Sequence, residues 1–461
     1  MAQTHSRAIV LSIGDELVLG QSLDTNSRWL SERLLDRGVA VVRHVTVADD
    51  AHAIASEIGR ASGDAELVVV TGGLGPTMDD LTREALAGAM GDELVEDGAA
   101  LAQVRAWFST RGREMPAPNR VQALRPARAE CLGNTAGTAP GLRAAIGRAD
   151  VFCLPGPPRE MRPMFERFVA PALRPSREVR ARIVRTFGLG ESRVAELLGD
   201  LMDRDRNPLV GTTASAGVVT VRMRWEGARG ADPPRSDAAS GPGTAPFWGD
   251  GAIDDTERRV RAALGAAVFT PIGGDGDQEL AAVVVDLLRS RGERLAVAES
   301  CTGGLVGSLI TAVSGSSAAF TGGWITYTNA MKAGELGVPQ DMFAEVQAGA
   351  PGAVSGEVAR MMAAGALTRA THEIGGAAGV HHALAVTGIA GPDGGSEAKP
   401  VGTVWVCRAS GDGTVDCRRF HFGGGRDSVR EWSAVTALGM LRLKLDGQDL
   451  KLPGEQERWR A

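Results

Sequence analysis

Between residues 295 and 304 a short apolar run stops at Glu299-Ser300-Cys301-Thr302, and two glycines precede a helix-like stretch, 305–311. A hydroxyl, a thiol and a second hydroxyl thus stand where an expected buried strand hands over to a helix. The first N–H groups of a helix lack intrahelical partners and carry a partial positive charge. Such a place holds a phosphate or stabilises an oxyanion beside a nucleophile. A serine becomes a competent nucleophile only when a base takes its proton. Lysine serves as that base where desolvation or positive neighbours lower its pKa. Lys332 is the candidate, with Tyr327, the single tyrosine of the chain, to relay the proton. None of the seven histidines lies in a glycine-rich turn, so no Ser-His-Asp arrangement is expected. Cys301 is the rival nucleophile, because a thiol at a helix N-terminus ionises more easily.

A second glycine-rich turn, 71–80, reads Thr-Gly-Gly-Leu-Gly-Pro-Thr-Met-Asp-Asp. Its glycines let the backbone approach a ligand closely. Thr71, Gly72, Gly73, Gly75 and Thr77 form an expected cradle for a pyrophosphate or nucleotide phosphate. Asp79 and Asp80 suit a hard cation that bridges phosphate oxygens, with Asp15 and Glu16 as further ligands. Taken alone, the segment is more simply a tight strand-to-helix turn with a double aspartate cap.

These turns need strands to carry them. In the first third, 8–13, 39–47 and 67–70 read as strands. Between them, a helix around Trp29, Leu30 and Leu34 is closed by Gly38, and Asp50 caps another carrying Ile54 and Ile58. Asp79 or Asp80 is expected to cap a third, running to Met90. This β-α-β-α-β-α order predicts a parallel sheet with right-handed crossovers, whose ligands sit beyond the carboxyl ends of the strands. From about Arg182, strand signals at 183–187 and 217–225 and helix signals at 192–202 and 256–264 mark a small α+β module. A stretch rich in Gly, Pro, Ser and Asp, 227–254, interrupts it and is expected to be loosely ordered. Residues 273–276 read as a linker, and a helix, 278–290, precedes the strand that leads to Ser300. The expected architecture is multidomain α/β, with domains over 1–172, 176–270 and 274–450.

Composition sets outer limits. The 461 residues correspond to about three domains at ~150 residues each. Acidic residues outnumber basic ones, 56 to 50, which argues against broad binding to nucleic acid. The five cysteines are scattered and form no C-x-x-C pair, so neither a disulfide framework nor a zinc site is expected. With a polar start, Met1–Arg7, and no apolar run near the ~20 residues that cross a bilayer, a cytoplasmic location without membrane partners is expected.

Six blocks in the last third resemble the C-terminal domain of the CinA family, a nicotinamide-nucleotide amidase. They are Ala-Glu-Ser-Cys-Thr-Gly-Gly (298–304), Gly-Ser-Ser (315–317), Thr-Tyr-Thr-Asn-Ala-Met-Lys (326–332), Gly-Ala-Val-Ser (352–355), Val-Thr-Gly-Ile-Ala-Gly-Pro-Asp-Gly-Gly (386–395) and Lys-Pro-Val-Gly-Thr-Val (399–404). The resemblance implies hydrolysis of the carboxamide of nicotinamide mononucleotide to nicotinate mononucleotide and ammonia, with no cofactor. It makes Ser300 the nucleophile and Tyr327 with Lys332 the base system. Thr387 and Gly388 would line the substrate site, and Arg426 would hold phosphate or orient the substrate. Backbone N–H groups near Gly303 and Gly304 would stabilise the oxyanion, and Thr302, Ser316, Ser317 and Asn329 would complete the pocket.

The first third, through 14–17, 24–26, 71–80, 119–120, 137–141 and 155–161, resembles the molybdopterin-binding-like N-terminal domain of the same family. That likeness implies metal-dependent hydrolysis of ADP-ribose, with a divalent metal at Asp15, Glu16, Asp79 and Asp80. Met78 stands where the family often has a polar residue. The middle module resembles the family's KH-like segment, yet residues 188–191, Gly-Leu-Gly-Glu, lack the G-x-x-G clamp that grips RNA. Family membership also implies a homodimer.

Taken singly, Ser300 is a helix cap, Lys332 a solvated charge and Tyr327 a packing residue with a wet hydroxyl. Their occurrence in the matched order reverses those readings. An amidase in the last third is therefore the leading expectation and an ADP-ribose pyrophosphatase in the first third the second. A non-enzymatic nucleotide-binding protein ranks last, because Ser300, Tyr327, Lys332 and Arg426 are all present.

Overall fold

The structure, a computed structural model, describes residues 4–228, 250–272, 278–344, 350–374 and 379–460. The chain divides into two compact units, 1–181 with 225–249, and 182–224 with 250–461.

The first unit runs β1 (Arg7–Ile13), α1 (Asp15–Val18), α2 (Thr25–Leu35), β2 (Ala40–Val47), α3 (Ala51–Asp64), β3 (Leu67–Thr71), α4 (Thr82–Met90), β4 (Leu94–Glu96), α5 (Gly98–Ser109), β5 (Leu124–Pro126), β6 (Glu130–Leu132), β7 (Gly141–Ile146), β8 (Ala149–Leu154) and α6 (Pro158–Met164). Its main sheet has the order β2-β1-β3-β8-β7-β6. The first four strands are parallel, as the alternating pattern predicts, and β7 and β6 add an antiparallel edge. Alternation along the strands fills both faces. Ile9, Leu11, Val68 and Val70 meet Ile54 and Ile58 of α3 on one side. Val10 and Val69 meet Leu30, Leu34 and Phe165 on the other.

Asp24 and Asp50 cap α2 and α3 by accepting the N–H groups of Ser27 and Ala53. The expected aspartate cap of α4 is not formed: Leu81 is the N-cap, with no side-chain bond.

The second unit carries most of β9 (Arg177–Phe187), then α7 (Glu191–Leu198), β10 (Leu209–Ser215), most of β11 (Val218–Ala228) and α8 (Asp250–Leu264). It continues with α9 (Leu280–Arg291), β12 (Leu295–Glu299), α10 (Leu305–Thr311), β13 (Phe320–Ile325), α11 (Asn329–Leu336), α12 (Gly356–Ile374), β14 (His382–Gly388), β15 (Thr403–Ser410), β16 (Val415–His421), α13 (Arg426–Leu445) and β17 (Glu455–Arg460). The small sheet β10-β11-β9 is the middle α+β module. Its ties run to α13: Gly439 leaves room for the Phe187 ring, and the Arg442 guanidinium donates to the Ala266 carbonyl. Both ends of the stretch 227–254, expected to be loosely ordered, belong to regular elements, because β11 continues through Ala228 and α8 begins at Asp250. Residues 229–249 and the linker 273–276 lie outside the described residues.

The main sheet of this unit has the order β13-β12-β14-β15-β16-β17. Strands β13, β12 and β14 are parallel, and the rest are antiparallel. All five residues of β12 are buried, as befits a strand between two others and two helical layers. Val297 faces the core shared with α9, α10 and α13, whereas Ala298 faces α11 and α12.

The cysteine expectation needs correcting. Cys407 and Cys417 form a disulfide, with Cα atoms 4.1 Å apart. They face each other across the β15–β16 ladder, a register that residue spacing alone does not reveal. Among the described residues, no helix is long and apolar enough to cross a membrane.

Candidate active site

Strand β12 delivers Ser300 to the carboxyl edge of the sheet, where its N–H donates to the Val386 carbonyl of β14 at 3.0 Å. The neighbouring strand β13 leads to Thr328, whose hydroxyl caps α11 by accepting the Met331 N–H. That cap starts the helix so that Lys332 falls on its first turn and points inward, 2% exposed. Lys332 Nζ reaches Ser300 Oγ at 3.0 Å, the Thr326 carbonyl at 2.9 Å and the Tyr327 carbonyl at 3.4 Å. Burial pushes the Lys332 ammonium below the usual lysine range, and no carboxylate among the described residues counters it. In the structure Nζ donates to all three oxygens. Once the amine loses a proton, the two carbonyls can hold the remaining two and leave a lone pair for the Ser300 hydroxyl, the geometry a general base requires.

The rival nucleophile is disfavoured. Cys301 is 5% exposed, and burial pushes its thiol up to about 12. The Tyr327 hydroxyl is also absent from the base pair. It accepts from Arg426 Nη2 at 3.1 Å, and what Tyr327 offers Lys332 is its main-chain carbonyl.

The turn after Ser300 departs from expectation. Gly303 and Gly304 take φ of 60° and 95°, a region that favours glycine. Their N–H groups do not await an oxyanion. Gly303 N donates to the Ser300 carbonyl at 3.1 Å, and Gly304 N to Glu299 Oε2 at 2.9 Å. Glu299 also accepts from Val306 N and Gly307 N, so its carboxylate fills the start of α10. Thr302 is fully buried, with its carbonyl taken by Arg430 Nη2. Ser316 and Ser317 stand before β13, where Ala319 receives the N–H of Leu295. They therefore lie at the opposite end of β12 from Ser300 and do not line the pocket.

The pocket itself has a volume of about 180 Å³ and is walled by Ser300, Cys301, Tyr327, Asn329, Lys332, Thr387, Gly388 and Arg426. Ala353, Val354 and Ala390 complete it, small residues that carry no chemical signal in a sequence. The Thr387 hydroxyl donates to the Ala353 carbonyl at 2.8 Å and so secures this wall. Arg426 opens α13 and donates to the Gly391 carbonyl at 2.8 Å as well as to Tyr327.

A second pocket, of about 540 Å³, lies in the first unit at the carboxyl ends of β1 and β3. Gly14, Glu16, Asp24, Asn26, Asp49, 71–76, Asp79, Asp80 and Glu160 are among its lining. Its turn is tied from within. Asp80 accepts from Gly75 N at 2.7 Å, from Thr77 N at 2.8 Å and from the Thr77 hydroxyl. Gly72 N donates to the Leu154 carbonyl, and the Thr71 hydroxyl donates to the Pro155 carbonyl. From below, the buried Arg83 guanidinium holds the carbonyls of Leu74 and Gly75. The expected phosphate cradle of Thr71, Gly72, Gly73, Gly75 and Thr77 therefore has most of its donors spent.

The expected metal ligands fare similarly. Asp80 is committed to the turn, while Asp15 and Asp49 each accept the other's backbone N–H. Burial and the charges of Asp15, Glu16 and Asp79 raise the Asp49 carboxyl above the usual range, although the Asp15 N–H opposes this. Among the described residues, no group of three or more His, Cys, Asp or Glu is gathered to hold an ion, so the donor set does not fit a metal.

The model of the CinA C-terminal domain matches 277–445, that of a probable molybdopterin binding domain 9–175, and that of the damage-inducible protein CinA KH domain 181–233. A putative competence-damage inducible protein of Symbiobacterium thermophilum is 41% identical over 455 residues, covering 95% of this chain and 99% of that protein. A CinA-like protein of Geobacter metallireducens is 41% identical, covering 95% and 99%. A solved structure of a competence/damage inducible protein from Agrobacterium tumefaciens is 39% identical, covering 36% of this chain and 93% of that one, with a TM-score of 0.33.

Proposed function

The chain belongs to the CinA family, and from that premise we propose that it hydrolyses the carboxamide of nicotinamide mononucleotide. The products are nicotinate mononucleotide and ammonia. The observation that carries this reading is the buried Lys332 amine, 3.0 Å from Ser300 Oγ.

Lys332 takes the hydroxyl proton as Ser300 Oγ bonds to the amide carbon. The carbonyl π pair moves onto oxygen to form the tetrahedral intermediate. As the carbonyl re-forms, the C–N bond breaks, Lys332 returns the proton to nitrogen and ammonia leaves. Water then attacks the acyl-serine ester, and Lys332 accepts its proton and returns it to Ser300. The pocket, at about 180 Å³, is smaller than the ~300–1,000 Å³ that encloses a whole drug-sized ligand. It suits one six-membered ring with its carboxamide, leaving ribose and phosphate outside. Arg426 and the uncapped start of the long helix α13 stand at that outer side and attract the phosphate.

The test is ammonia release from nicotinamide mononucleotide by the full chain and by Ser300→Ala. Equal rates would remove Ser300 from the mechanism.

A second reading concerns the 540 Å³ pocket, large enough for a nucleotide and set beyond the strand ends where such ligands sit. We propose it as the seat of ADP-ribose hydrolysis. The check is ADP-ribose turnover with and without chelator, in the full chain and in Asp79→Asn. The family likeness implies metal dependence, so turnover that the chelator leaves unchanged, or no turnover under any metal condition, ends this reading.

A further inference from the structure

Glu299 is the one charged residue of β12, 1% exposed, and the amidase chemistry above does not use it. Its side chain binds the turn that follows Ser300, with Oε2 accepting from Gly304 N at 2.9 Å and Val306 N at 3.1 Å, and Oε1 from Gly307 N at 2.9 Å. Its main chain binds the other half of the site. The Glu299 carbonyl accepts the Thr326 N–H at 2.8 Å, and the Thr326 carbonyl in turn accepts Lys332 Nζ. One residue therefore joins the turn that carries the hydroxyl to the segment that carries the amine.

We propose that Glu299 is the positioning residue of the Ser300–Lys332 pair, its carboxylate holding the 300–307 turn in the path that aims the Ser300 hydroxyl at the Lys332 amine. The proposal rests on Ser300 as the nucleophile. Three N–H groups converge on two oxygens, and only a carboxylate meets them without a competing donor. A glutamine offers one acceptor oxygen and turns an NH₂ group toward an N–H. The turn takes three of the about four acceptor sites of the Glu299 carboxylate.

The experiment uses the full chain as wild type, Glu299→Gln and Glu299→Asp, with Ser300→Ala as blank. A serine-directed fluorophosphonate probe reports the reactivity of Ser300 by intact mass, normalised to the folded fraction from thermal melting. Steady-state kinetics on nicotinamide mononucleotide run in parallel. The expected result is labelling at least tenfold slower in Glu299→Gln, kcat lower by the same factor and KM within twofold of wild type. Glu299→Asp, which keeps the charge but retracts it by one methylene, falls between. Wild-type labelling rates in the folded fraction of both variants overturn the proposal and leave Ser300 as nucleophile. The same holds if rates fall only in step with the folded fraction. If Glu299→Gln does not fold, Glu299→Asp is judged by the same comparison. A wild-type chain that shows no label at Ser300 overturns the nucleophile reading and this proposal together.

Discussion

The turn after β3 and the turn after β12 share one design. Each follows a fully buried parallel strand, contains two consecutive glycines at positive φ, and leads to a helix. Each is also filled by an acidic side chain of its own, Asp80 in the first unit and Glu299 in the second. The difference lies in what stands alongside. In the second unit a buried lysine, with no carboxylate beside it among the described residues, meets a serine hydroxyl. In the first, Glu16, Asp49 and Asp79 are spread along the lining of a wider opening. A glycine-rich strand-to-helix turn is therefore not by itself an anion site. Its chemistry is decided by whether its N–H groups are already spent and by which side chains arrive from elsewhere in the chain.

The sharpest way to break this comparison is to remove the members of the buried pair. Ser300→Ala and Lys332→Met should each lower ammonia release on the order of 10³-fold or more, about as much together as singly, because the two act as a unit. Asp80→Ala should leave that rate unchanged. The pH profile comes next. Lys332 must be neutral to accept a proton, and burial lowers its pKa, so the neutral form persists to lower pH than in a free lysine. The rate of amide hydrolysis should rise about tenfold per pH unit along a one-proton acid limb and level off at a midpoint below 10.5, the ordinary lysine value. A midpoint at or above that value would show that Lys332 is not the base.

Smaller effects sharpen the contrast. Arg426→Ala removes a charged donor from the pocket mouth and should raise KM about ten- to a hundredfold with kcat nearly constant, measured by initial rates. On the other side of the comparison, Asp80→Ala should destabilise the first unit by about 1–3 kcal/mol in denaturant titration, the loss expected for charged bonds to backbone N–H groups. Tyr327→Phe should cost the least, about two- to tenfold in kcat/KM, because its hydroxyl touches Arg426 and not the base. A loss as large as that of Lys332→Met would return the tyrosine to the proton path.

Much of this was legible beforehand for a physical reason. An apolar run, glycines and a threonine cap act within a few residues, so the 295–311 segment and the start of α11 could be read from neighbours in sequence. The chemically loaded residue types were visible as well. Glu299 left one usable sign, a lone carboxylate in an otherwise apolar strand, which must find donors if it is buried. Ala353, Val354 and Ala390 left none.

Sequence by itself determined the buried strands, the left-handed glycine turns and the presence of a serine, a lysine and an arginine in chemically loaded segments. Only the tertiary structure decided that Lys332 meets Ser300 across 32 positions, that Tyr327 faces Arg426, that Ser316 and Ser317 sit at the far end of the sheet, and that Cys407 is bonded to Cys417. Backbone conformation follows from short-range sterics. Whether a donor is free, a lone pair is spent or an amine is dry depends on groups brought together by the parallel crossovers of the sheet, and no local pattern records their arrival.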